Sequence, residues 1–255
     1  MIDFHAHTPA HADDASPDAG SSYTPADFLA YMDEAGLETS VMLNYQGLLD
    51  GSPHSNDYVA EFVAHDPTRL IGFGTVNTRL PGAVAEVNRM MGDLGLRGMK
   101  LHPWLQGISV MEPAMDRVCE ALVENRGILL SHDGTPPYAM ATQLGALARR
   151  HPDLPVVLGH GGLLDFWREA IVAATETANV YVCLTSVNPF VGRMVVERAP
   201  HNKVLFGTDA GLDPSGNQNY ALARVRELQG WGISEEDITR ITETNPRRLL
   251  AEMQA

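Results

Sequence analysis

Short apolar runs recur along the chain, and stretches with the periodicity of amphipathic helices lie between them. In the first run, apolar Phe4 and Ala6 alternate with His5 and His7, which is typical of a strand whose successive side chains point to opposite faces. Eight such runs predict β-strands, at residues 2–5, 39–44, 70–76, 98–102, 128–132, 156–160, 180–184 and 204–209.

The segments between these runs carry helix start and stop signals. Thr24 is a good N-cap before Pro25, and Gly36 ends the same helix. Near the end of the chain Ser234 begins a further pair of helices, with Asp237 three residues on as its capping partner. The other predicted helices span 81–94, 111–125, 137–150, 163–177, 189–198 and 219–229.

Repeated strand–helix units with short connections predict parallel strands and right-handed crossovers. Eight units in 255 residues favour an α/β fold of the (β/α)8 TIM-barrel type, closed by the C-terminal helices. A Gly-x-Gly-x-x-Gly sequence does not follow the first strand, which argues against a dinucleotide-binding sheet. No linker-like tract divides the chain, so residues 1–255 are expected to form one domain, with 9–22 as a mobile loop above the barrel.

Composition narrows the range of partners. A formal charge of −14 argues against nucleic acid or an anionic membrane as the main partner, since both bind basic surfaces. No apolar run approaches the length that spans a bilayer, and Cys119 and Cys183 are expected to be buried free thiols of a reducing compartment. The chain is therefore expected to be cytoplasmic and to act on a small molecule, and a homo-oligomer is compatible with the sequence.

The predicted strands end in unusual residues. Buried barrel strands normally end in apolar side chains, but five of these eight end in a metal-ligand type or a titratable base. The carboxyl ends of barrel strands meet at one face, where the chemistry of such folds collects. The residues concerned are His5, His7, Lys100, His102, His132, His160 and Asp209. Imidazoles and a carboxylate in one place match the ligand preferences of Zn²⁺, Mn²⁺ and Fe²⁺.

These motifs resemble the amidohydrolase superfamily, and within it the amidohydrolase-related group that includes aminocarboxymuconate-semialdehyde decarboxylase. The resemblance covers the whole chain. It rests on Asp3-x-His5-x-His7, Gly98-Met99-Lys100-Leu101-His102-Pro103, the single His132, Gly159-His160-Gly161-Gly162, Phe206-Gly207-Thr208-Asp209 and the terminal Asn245-Pro246-Arg247-Arg248-Leu249.

The resemblance implies that His5, His7, His132 and Asp209 bind one divalent ion, with Zn²⁺ as the first choice and Mn²⁺ or Fe²⁺ as alternatives. His160 would either complete the ligand set or act as an acid, base or electrophile. A metal ion lowers the pKa of bound water to about 7, and Asp209 is the expected proton acceptor. Asp3 and Asn245 are expected to support these residues, with Asp3 orienting a ligand imidazole.

Lys100 leaves two interpretations open. As an ammonium it would pair with Asp3 or with an anionic substrate, next to His102 and the possible stacking residue Trp104, and these three residues are the predicted substrate contacts. As a carboxylated lysine it would bridge two metal ions, as in the binuclear members of the superfamily. The Lys-Leu-His-Pro sequence resembles the single-metal group, so one ion is favoured.

Three functions are compatible with this site. The favoured one is a metal-dependent hydrolase that attacks an amide, ester or lactone with a metal-activated water. The alternative is a non-oxidative decarboxylase of an unsaturated or aromatic carboxylic acid on the same metal site. A more distant alternative is a TatD-like nuclease, but that family carries a Glu in a Gly-Glu-x-Gly-Leu-Asp context where this chain has Gly98-Met99-Lys100-Leu101-His102-Pro103.

Overall fold

The computed structural model describes residues 1–9, 23–212 and 218–252. An eight-stranded parallel sheet follows the order of the chain. Its strands are β1 (Ile2–Thr8), β2 (Thr39–Asn44), β3 (Leu70–Gly74), β4 (Gly98–Leu101), β5 (Ile128–Ser131), β6 (Val156–Leu158), β7 (Val180–Cys183) and β8 (Val204–Leu205). The Phe4 N–H donates to the Phe206 carbonyl at 2.9 Å, and Ala6 pairs with Ala210, so the first strand meets the chain that follows the last. The predicted (β/α)8 barrel is confirmed.

Helices surround this barrel. They are α1 (Pro25–Ala35), α2 (Tyr45–Asp50), α3 (Pro53–Val63), α4 (Ala83–Gly92), α5 (Pro103–Gln106), α6 (Pro113–Glu124), α7 (Ala141–Arg150), α8 (Trp167–Glu176), α9 (Pro189–Arg198), α10 (Asn219–Glu227), α11 (Glu235–Thr239) and α12 (Asn245–Glu252). A 3₁₀ turn spans Leu228–Trp231, and a π-helical segment spans Arg240–Thr244. Within the described ranges, no helix combines the length and apolar character needed to cross a bilayer.

The predicted caps are present. The Thr24 side chain accepts the Asp27 N–H at the start of α1, and Gly36 ends that helix with a φ of 68°, a conformation that favours glycine. The Ser234 hydroxyl likewise accepts the Asp237 N–H at the start of α11. These local signals depend only on neighbouring residues, which is why the sequence alone reveals them.

Several element bounds differ from the prediction. The strands predicted to end at 102, 132, 160 and 209 end earlier, at Leu101, Ser131, Leu158 and Leu205, so the polar residues at those four positions lie in the loops that follow. The helices predicted from 137 and 163 begin at Ala141 and Trp167, after irregular loops. Helix α3 was not predicted, although Ser52 before Pro53 is a helix start signal and Val59 and Phe62 form its buried side.

Among the described residues, three buried apolar clusters hold the barrel together. Inside it, Phe4, Val41 and Phe73 belong to a buried cluster that also contains Leu249 of α12. Burying each large apolar side chain contributes about 1.5–3 kcal/mol. Asn245 donates to the carbonyls of His201 and Val204 at 2.8 Å, so α12 is fixed to β8 and the C-terminal helix covers one end of the barrel as expected.

Cys119 and Cys183 are buried and free, in agreement with the prediction for the two thiols. The predicted mobile loop at 9–22 lies, apart from Pro9, outside the described residues. Apart from residues 213–217 after β8, the other loops that follow the strands lie in the described part, and they carry His102, His132, His160 and Asp209.

Candidate metal centre

His5 and His7 on β1 meet Asp209 in the loop after β8. The Asp209 N–H donates to the His5 carbonyl at 2.9 Å, and this hydrogen bond brings the side chains together. The Nε2 atoms of His5 and His7 lie 3.3 and 3.4 Å from Asp209 Oδ1. Both imidazoles therefore face the same carboxylate oxygen, as strand alternation predicts.

His160 completes a compact group of donors. One ligand atom from each of His5, His160 and Asp209 lies within 4.8 Å of the other two, and all three atoms belong to buried or nearly buried side chains. The loop turns sharply after His160, where Gly161 and Gly162 adopt φ values of 54° and 81°. A divalent ion fits the spacing and chemistry of this group.

His132 lies beside this group rather than inside it. Its ring centroid is 4.2 Å from that of His160, and its ring stacks on His102 with centroids 3.9 Å apart. Of the four predicted ligands, His5 and His7 both contact Asp209. His132 instead contacts His160, which lies between it and the other three. The ligand set that includes His132 stays a prediction.

Two features of the polar atoms suit a cation. Among the described residues, Asp209 Oδ1 and His160 Nδ1 are buried and have no hydrogen-bond partner. His5 Nδ1 faces the Gly159 carbonyl at 3.3 Å, and as a donor there it leaves the Nε2 lone pair directed into the site. Buried polar groups normally have partners, so these atoms are consistent with a group that binds between them.

The charges of the cluster also suit metal binding. Burial lowers the pKa of His5 well below its ordinary value, with Lys100 adding to the effect, and burial lowers the pKa of His160 to about 4. Burial alone would raise the pKa of Asp209, but His5 and His7 hold it well below its ordinary value. The site thus combines neutral imidazoles with an ionised carboxylate, which are the protonation states that metal ions require of their ligands.

Asp3 is one of the two partners that the sequence predicts for Lys100, but Lys100 does not contact it. Its Nζ lies 3.0 Å from His5 Nε2, and burial lowers its pKa to about 8. Asp3 instead accepts hydrogen bonds from the Thr208 hydroxyl and from the N–H groups of His5 and Thr208. Asp3 therefore orients the backbone that carries His5, and it does not orient an imidazole ring.

The remaining predicted substrate contacts lie at different depths. His102 is partly buried, and burial lowers its pKa to about 3. Trp104 is 59% exposed, with its ring centroid 6.2 Å from that of His102, at the outer edge of the cluster. A cavity of about 430 Å³ opens beside Asp209 and is lined in part by Ser186, Leu212 and Tyr220. This volume suits a small-molecule substrate.

A larger cavity of about 590 Å³ lies elsewhere, among residues from the beginnings of the strands such as Ile2, Thr39 and Leu70. None of the clustered residues lines it, whereas Asp209 of the cluster lines the smaller cavity. In barrels of this type the chemistry occurs at the opposite ends of the strands. The smaller cavity beside Asp209 is therefore the candidate substrate site.

Two residues of the site were not singled out from the sequence. Asp133 is buried and accepts the N–H groups of His160 and Gly162 at 2.7 and 2.6 Å, which fixes the loop that carries His160. Burial raises the pKa of Asp133 to about 6. Ser186 donates to Asp209. The position of Asp133 directly after His132 is a usable signal, whereas nothing in the sequence marks Ser186.

Comparison with known proteins identifies the family. Residues 2–251 match the family model described as amidohydrolase, and the chain belongs to this family. A curated relative, 2-amino-3-carboxymuconate-6-semialdehyde decarboxylase of Dictyostelium discoideum, is 25% identical over 215 residues, or 82% of this chain. The chain spans 51% of the length of that relative. The superfamily resemblance is thus confirmed, and the chain is an enzyme of a metal-dependent family.

Solved structures share the fold across the whole chain. The 5-carboxyvanillate decarboxylase of Novosphingobium aromaticivorans, complexed with manganese and a nitrobenzoic acid, has a TM-score of 0.73 and 17% identity, with 98% of this chain and 95% of that chain covered. A probable 2-pyrone-4,6-dicarboxylic acid hydrolase of Acinetobacter baumannii, with citric acid bound, has a TM-score of 0.72 and 16% identity, with 98% of each chain covered. At these identities the likeness shows the fold alone.

Proposed function

We propose that the chain is a metal-dependent, non-oxidative decarboxylase of an unsaturated or aromatic carboxylic acid. The observation that carries the proposal is the buried Lys100 amine beside His5, which places a cationic group next to the candidate metal ligands. A buried ammonium stabilises a carboxylate or other anionic group on a substrate. The decarboxylase relative and the decarboxylase of the same fold support this choice over the hydrolase that the sequence favoured.

In this proposal His5, His7, His132 and Asp209 hold one divalent ion, with Zn²⁺ as the first choice and Mn²⁺ or Fe²⁺ as alternatives. When bound, the ion supplies positive charge that stabilises the electron pair left on the substrate. Lys100 binds an anionic group of the substrate and orients it. His160, which is neutral in the free site, passes a proton from water to the carbon that loses its carboxyl group when the carbon–carbon bond breaks and carbon dioxide leaves.

The direct test is a substrate panel on purified protein whose metal content has been measured. We expect carbon dioxide release from at least one aromatic or unsaturated acid, loss of this activity with a chelator, and its return with Zn²⁺ or Mn²⁺. The panel also contains lactones, esters and amides. Turnover confined to those compounds would reject the decarboxylase and support the second candidate, a hydrolase. The probable 2-pyrone-4,6-dicarboxylic acid hydrolase of the same fold supports this second candidate.

Lys100→Ala is expected to leave one metal ion bound and to raise KM for an anionic substrate by about 10- to 100-fold, the usual effect of losing a hydrogen bond to a charged group. Steady-state kinetics and metal analysis measure the two effects separately. Lys203→Ala is the control, since the Lys203 amine binds the carbonyls of Ala174 and Thr177 away from the cluster. Two metal equivalents per chain, bridged by a carboxylated Lys100, would contradict the single-ion proposal.

A further inference from the structure

Two residues at the ends of neighbouring strands have an unusual backbone conformation. Ser186, after β7, has a φ of 60°, and Asp209, after β8, has a φ of 59°. A side chain with a Cβ atom is disfavoured in this left-handed region by about 1–2 kcal/mol. Such conformations persist where the surrounding structure enforces them, and they cluster at functional sites. The shared conformation therefore points to a functional role for Ser186 beside Asp209.

The two side chains meet. The Ser186 hydroxyl donates to Asp209 Oδ2 at 2.5 Å. The other oxygen, Oδ1, accepts no hydrogen bond from the described residues and faces the Nε2 atoms of His5 and His7. The hydrogen bond thus makes the two oxygens unequal, because one is engaged by Ser186 and the other is presented to the imidazoles.

Close packing of the two strand ends brings Ser186 to this position. A Cβ atom on Gly207 would come within 2.3 Å of the Thr185 hydroxyl and 2.7 Å of His5 Cβ, so only glycine permits the approach. Thr185 is completely buried, and Ser186 follows it into the cavity that borders Asp209. The position of the hydroxyl is therefore set by the packing of β7, β8 and β1.

We propose that Ser186 is a positioning residue of the metal centre, in which its hydroxyl holds Asp209 Oδ2 and thereby presents Oδ1 to the cation. The inference rests on the proposed metal-dependent function and adds a residue that acts through Asp209 instead of binding the ion itself. Partners of this kind fix the orientation of a ligand, and their loss typically weakens metal binding by about 10- to 100-fold.

The experiment compares Ser186→Gly with Ser186→Ala. Both variants lose the hydroxyl, but glycine adopts a positive φ without strain and alanine does not. We expect the dissociation constant for Zn²⁺, measured by competition between the metal-free protein and a chromogenic chelator, to rise by about 10-fold or more in both variants. Thermal stability is expected to be at least that of the wild type for Ser186→Gly and lower for Ser186→Ala.

Arg126→Gly is the matched control. Arg126 is exposed at the end of α6 and has a φ of 55°, so this change relieves the same kind of backbone strain away from the site. It is expected to leave Zn²⁺ affinity unchanged. Affinity that follows thermal stability across the two Ser186 variants would indicate a structural role only, and wild-type affinity in both would overturn the proposal. A wild-type chain that binds no divalent ion would overturn the metal centre itself.

Discussion

Replacing His5 and His7 together by alanine is expected to give a folded barrel that no longer retains a stoichiometric divalent ion. Their Nε2 atoms lie 3.3 and 3.4 Å from Asp209 Oδ1, so the double change removes two nitrogen donors that face the same carboxylate oxygen. A Zn²⁺ site typically uses four ligands, and a site that loses two of them binds the ion far more weakly. Decarboxylation is expected to disappear together with the metal.

Metal content of the dialysed protein by mass spectrometry, with circular dichroism as a check on folding, measures this result. The matched control is the double change His54→Ala and His65→Ala, which removes two exposed imidazoles outside the cluster. The control is expected to retain the ion. One equivalent of metal in the folded His5→Ala, His7→Ala variant would show that the ion is held elsewhere.

The sequence predicted the barrel and the membership of the cluster for a common reason. Alternating strands and helices specify parallel strands, and the carboxyl ends of parallel strands meet at one face. The topology alone therefore predicts that histidines at the ends of different strands lie close together, and no knowledge of side-chain packing is needed. His5, His7, His160 and Asp209 are predictable in this way, and the structure places them together.

The contacts across the site were less predictable, because strand alternation gives the side to which a residue points and not what faces it. Lys100 reaches His5 rather than Asp3 across the barrel interior. A register shift between Asp3 and Ala6 also changes the local alignment of β1. Asp133 and Ser186 make their contacts from loops, and the course of a loop depends on packing. The hydrophobic periodicity of the sequence does not predict that course.

The second large effect is expected for His160→Asn, which should lower kcat by about 10²-fold or more, the cost of losing a general acid or base. Most of the metal is expected to remain, since His5, His7, His132 and Asp209 supply four donors in the proposed site. The backbone of the loop should also persist, because Asp133 binds the N–H groups of residues 160 and 162 and not the imidazole.

The two roles of His160 predict different results in one experiment. Its ring lies 4.2 Å from that of His132 and 4.9 Å from that of His5, and the geometry is compatible with ligation as well as with proton transfer. Single-turnover kinetics on metal-saturated protein isolate the chemical step from metal affinity, with the exposed His201→Asn as control. A kcat that returns to the wild-type value once excess metal is supplied would make His160 a ligand alone. A persistent defect at full metal occupancy assigns it the proton.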